Sequence, residues 1–90
     1  MSQANPDQLY QTGQTHLLQS NPSAAITALQ SALQSGLSGY KVCEAHLLLG
    51  AAFVRLNNKD KALAELREAE AINDERTGSL RKLLKNKGWL

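Results

Sequence analysis

A single cysteine, two prolines, 4% aromatic residues and no long apolar run narrow the architectures open to this 90-residue chain. Cys43 has no second cysteine to pair with, so no internal disulfide forms and nothing calls for an oxidising compartment. The shortage of aromatics leaves alanine and leucine to build the interior, which suits packed helices better than a β-sandwich. Period-two alternation and β-branched runs are both missing, so no strand is expected. No apolar stretch approaches the roughly 18 residues of a membrane-spanning helix. The opening MSQANPDQ has neither the basic nor the apolar region of a secretory signal, and a cytoplasmic location is the expectation. Charge is nearly missing from the first 40 residues, where Asp7 stands alone. Gly-rich phosphate loops are missing too, because none of the six glycines precedes a Lys-Ser or Lys-Thr pair.

What remains is 42% hydrophobic and 20% charged, enough to bury one core in a single domain spanning residues 1–90. Asn5-Pro6 reads as a helix start, with asparagine capping free N–H groups and proline in a turn that needs no donor. That helix runs to about Gln19. Asn21-Pro22 repeats the signal for a second helix ending near Ser35 at Gly36. Leu37-Ser38-Gly39 reads as a loop with Ser38 as cap, followed by a nearly all-apolar helix from Tyr40 to about Leu56. After Asn57-Asn58, a fourth helix from about Lys59 to Ile72 carries Ala62, Leu63, Leu66, Ala69 and Ile72 on one stripe. Lys61, Glu65 and Glu68 fall on its solvated side. A fifth spans about Arg76 to Asn86, with Leu80, Leu83 and Leu84 at helical spacing and Trp89-Leu90 trailing. The fold class is all-α.

The chain also repeats itself. A shift of 37 residues superimposes Gly13 on Gly50, Asn21 on Asn58, Ala25 on Ala62, Leu29 on Leu66 and Ala32 on Ala69. His16 then meets Phe53, Leu17 meets Val54, and Ile26 meets Leu63. A mid-helix glycine costs up to about 1 kcal/mol against alanine, so two at equivalent sites point to close helix approach, with Ala25 and Ala62 as the facing surface.

These residues resemble the tetratricopeptide repeat, over positions 6 to 76. The second unit supplies His46, Leu49-Gly50, Phe53, Ala62, Leu66 and Ala69, and Asn73-Asp74 stands where the family often has proline. The first supplies Leu9, Thr12-Gly13, His16, Ala25, Leu29 and Ala32, without the family's early tryptophan and with Thr12 in place of a leucine. The resemblance implies a short α-solenoid of two antiparallel helical hairpins, at 6–36 and 39–73, closed by a basic capping helix at 76–87. In that helix the leucines would cover the second hairpin while Arg81, Lys82 and Lys85 face water.

The resemblance further implies a small adaptor that binds a protein or peptide partner in a groove lined by the first helix of each unit. The matching positions are Tyr10, Gln14 and Leu17 with Leu47, Ala51, Val54 and Arg55. Tyr10, Gln14 and Arg55 are the better contacts, since their polar ends prefer water or a partner. Family members that clasp a C-terminal carboxylate use lysine and asparagine where Tyr10 and Gln14 stand, which disfavours that mode.

Two other readings compete. Arg76, Arg81, Lys82, Lys85 and Lys87 include no acid among them, so the tail offers a nucleic acid or anionic surface four or five cations, with Trp89 for stacking. Alternatively the chain is a structural, self-associating subunit. Arrays usually want about three repeats, and a homodimer would make up the difference. All seven glutamines lie between residues 3 and 34, giving the first hairpin a neutral polar surface suited to contact. Catalysis is not expected. Cys43 and His46 share a helix face, but His16 is the only other histidine and no four-ligand pattern forms, so no metal and no cofactor is expected. The acidic run from Glu65 to Glu75 reads as a solvated face rather than a calcium loop.

Overall fold

A computed structural model describes residues 5–90, so Gln3 and the opening residues of the signal-peptide argument lie outside the described residues. Five helices follow one another: α1 (Pro6–Leu18), α2 (Pro22–Gln34), α3 (Tyr40–Arg55), α4 (Lys59–Asn73) and α5 (Gly78–Asn86). A 3-10 turn at Asp74–Arg76 joins the last two, and no strand occurs among the described residues. The fifth helix therefore starts two residues later than its sequence signal, because Asp74, Glu75 and Arg76 turn the chain.

Local chemistry sets most of the ends. The Asn5 side chain accepts from the Asp7 and Gln8 backbone N–H groups, and Asn58 accepts from Lys61 at the start of α4. Asn21 makes no such bond, and Gly39 rather than Ser38 holds the cap position of α3, at φ 69° without a side-chain acceptor. Ser20 and Asn57, which are 37 residues apart, both adopt left-handed backbone, at φ 60° and 57°. Each opens the same closing bond, Asn21 N–H to His16 C=O at 2.8 Å and Asn58 N–H to Phe53 C=O at 2.9 Å. The repeat in sequence is thus a repeat in backbone geometry.

Each hairpin is antiparallel. Gly13 packs on Leu29 in the first, and in the second Cys43 Sγ points to the Ala69 carbonyl at 3.7 Å while His46 meets Glu65. Contacts between units advance in the same direction along both partners: Asp7 with Lys41 and Leu17 with Arg55, then Gly50 with Leu80 and Asn57 with Lys87. Helices α1, α3 and α5 are therefore parallel neighbours, and α5 occupies the place of a third opening helix.

The core is alanine and leucine as composition requires: Ala25, Leu29, Ala32, Ala45, Leu49, Ala62, Leu66 and Leu84 are all buried. Four expectations about it need correction. A methyl on Gly13 would strike Leu29 of its own hairpin, but a methyl on Gly50 would lie 2.6 Å from Leu80 Cδ2. The second glycine makes room for α5, not chiefly for Ala62. Leu80 and Leu84 cover the second hairpin, whereas Leu83 is 40% exposed because it sits on another flank of a nine-residue helix. Ile72 is exposed, since the antiparallel register sets it opposite Tyr40, where α3 has only just begun. Trp89 does not trail free but packs partly buried against the core, its backbone N–H donating to the Leu84 carbonyl at 2.9 Å.

Candidate functional site: a groove between α1 and α3

Parallel packing of α1 and α3 leaves an open groove of about 500 Å³. Helix α1 contributes Gln11, Gln14, Thr15, Leu17 and Leu18, which recur at helical spacing on one flank, and α3 contributes Leu48 and Arg55. The floor is apolar. Leu18 is 86% exposed, the most accessible of the large hydrophobic side chains, and Leu17 and Leu48 lie behind it. Arg55 closes one end, its Nη1 donating to the Leu17 carbonyl at 2.9 Å. That bond ties the last turn of α1 to the last turn of α3.

Of the seven expected contact residues, the groove brings together Gln14, Leu17 and Arg55. Tyr10 is buried instead, its hydroxyl accepting from Gln14 Nε2 at 3.4 Å and its ring under the Lys41 ammonium. Burial pushes the Tyr10 phenol above its ordinary value, and the Glu44 carboxylate adds to the effect. Val54 is buried in the core, Leu47 packs partly buried against it, and Ala51 leans on the Leu17–Ala25–Ala52 cluster. Sequence reasoning missed Gln11, Thr15, Leu18 and Leu48. One signal was present: Leu18 is apolar yet off the stripe defined by Gly13 and Leu17.

The basic tail is not an open row of cations. Arg81 bonds Glu70, reaches Asp74 at 2.7 Å and donates through Nε to Thr77 Oγ1 at 2.9 Å. Thr77 is fully buried and donates in turn to the Asp74 carbonyl, so this network fixes the turn before α5. Arg81 therefore does not simply face water. Arg76 pairs with Glu44, and Lys87 bonds the Asn57 side chain while lying over the Trp89 ring. Lys82 and Lys85 are exposed and have no ion-pair partner among the described residues.

Cys43 is buried between α3 and α4. His46 is half-buried with its Nδ1 2.7 Å from Glu65 Oε1, which draws Glu65 out of the solvated face assigned to it. Glu70 and Asp74 likewise serve Arg81. Among the described residues no three His, Cys, Asp or Glu side chains are grouped to hold a metal ion. No helix there is long and apolar enough to cross a membrane.

Comparison with family models, curated proteins and solved structures finds no match to this chain.

Proposed function

We propose that the chain is a tetratricopeptide-type interaction module, an adaptor that binds a protein or peptide in the groove between α1 and α3 and performs no chemistry. The observation that carries this reading is a groove with an apolar floor between parallel helices, open to solvent at Leu18 and bounded by Arg55. The recurrence of Gly13, Ser20, Ala25 and Leu29 at Gly50, Asn57, Ala62 and Leu66, with matching helix ends, supports the repeat assignment. Both walls are preformed helices, so little ordering entropy opposes association. Binding through the tail as a nucleic-acid surface is less favoured, because Arg76, Arg81 and Lys87 are already engaged within the protein.

The test is capture of a binding protein with crosslinking from a photoreactive residue at position 18. Crosslinks there, lost in competition with the unlabelled protein, support the groove. Capture that survives Leu18→Ser and Leu48→Ser unchanged refutes it. Steep loss of binding with salt would instead favour phosphate contacts, and a concentration-independent monomer mass by light scattering would remove the homodimer.

A further inference from the structure

The same groove, taken as a binding site, carries an inference about what fills it. We infer that its occupant is an extended peptide segment in which an acidic side chain adjoins a leucine-sized apolar one, the carboxylate meeting Arg55 and the apolar group resting on Leu18 and Leu48.

Charge decides the first half. Arg55 is the only charged residue of the lining. The remaining formal charges of α1 and α3 lie toward the other end of those helices and are paired, Asp7 with Lys41 at 3.2 Å and Glu44 with Arg76 at 2.6 Å. An acid arriving at Arg55 therefore meets a cation with no like charge beside it in the lining. The guanidinium is also held in place: one Nη is spent on the Leu17 carbonyl, and its other N–H groups remain for a carboxylate in two-point geometry. Holding the fork beforehand lowers the entropy lost on binding.

The acid belongs to a side chain rather than a chain terminus. Capture of a terminus commonly uses a nest of free backbone N–H groups. Here the neighbouring N–H groups of Gln19, Ser20, Leu56 and Asn57 are all bonded to helical carbonyls. The peptide is extended because Gln11 and Gln14 present side-chain amides along the groove wall, each able to donate and accept. An extended backbone offers N–H and C=O groups to such amides, whereas a helix has spent its own.

The experiment measures fluorescence anisotropy of labelled octapeptides with acetylated and amidated ends against the intact protein. The peptides carry a central leucine with Glu, Gln or Lys on either side, and one further peptide ends in a free-carboxylate leucine. Glu-containing peptides are expected to bind at least fivefold more tightly than Gln-containing ones at low salt, with Lys weakest and the preference shrinking at high salt. Arg55→Gln should equalise Glu and Gln, Arg55→Lys should keep part of the preference, and Leu18→Ser should weaken both series alike. Unchanged circular dichroism establishes that each variant is folded. Equal affinity for Glu and Gln peptides, still sensitive to Leu18→Ser, overturns the acidic specificity and leaves the groove reading standing. Tighter binding of the free-carboxylate peptide overturns the side-chain assignment. Binding by no peptide, or binding indifferent to both Leu18→Ser and Arg55→Gln, overturns the inference and the groove reading together.

Discussion

Replacing Gly50 by alanine sets two effects against each other. Alanine is better than glycine in a helix interior by about 1 kcal/mol, so an open site would be stabilised. Gly50 is not open. Its added methyl would lie 2.6 Å from Leu80 Cδ2 and 3.0 Å from Cδ1, and Leu80 is 2% exposed with little room to retreat. Overpacking of this kind costs about 1–3 kcal/mol, so the net expectation is destabilisation by about 1 kcal/mol, or roughly 4–8 °C in Tm for a domain of this size. Leu80→Ala alone should cost about 2–5 kcal/mol through its cavity. In that background the clashing atoms are gone and Gly50→Ala should become stabilising, giving a favourable coupling of about 2 kcal/mol in the double-mutant cycle. Urea denaturation followed by circular dichroism measures all four proteins. Gly78→Ala is the control, because nothing lies within 4 Å of an added methyl there and the change should be neutral or stabilising. Strict additivity of Gly50→Ala and Leu80→Ala would refute the packing of α5 on α3 described above.

Other substitutions probe single elements of the same account. Leu84→Ala should cost about 2–5 kcal/mol because Leu84 is fully buried, whereas Leu83→Gln should change the urea midpoint little. Asn5→Ala should cost about 1 kcal/mol for the lost cap, while Asn21→Ala, with no side-chain cap bond to lose, should cost less in the same assay. Ser20→Gly should raise Tm, since glycine takes the left-handed backbone at φ 60° without the penalty of about 1 kcal/mol that a side chain incurs there.

Helix identity and order are legible in the sequence because they depend on nearby residues. Asn-Pro pairs, Gly36 and the i, i+4, i+7 spacing of Ala62, Leu66 and Ala69 act within a turn or two, and α1 to α4 fall within a residue or so of their expected ends. The 37-residue shift that pairs Asn21 with Asn58 also relates Ser20 to Asn57, whose shared left-handed backbone only the structure revealed. The site was only partly legible. Gln14, Leu17 and Arg55 were expected from the resemblance to the repeat family, but Tyr10 lies on the buried side of the same helix and Leu18 on the open one. One residue is a rotation of about 100°, and that step from Tyr10 to Gln11 separates core from groove.

Composition and local signals alone thus determined an all-helical chain of two similar hairpins and a short fifth helix, because helix formation reads the residues on either side. Tertiary structure decided what each face meets. Gly13 receives Leu29 and Gly50 receives Leu80, although the sequence offers the two glycines as equivalents. Arg81 spends its charge on Glu70 and Asp74, and Arg55 is fixed by a carbonyl 38 residues earlier. Such pairings follow from how the helices settle against one another, a property of the packed whole that no stretch of residues carries by itself.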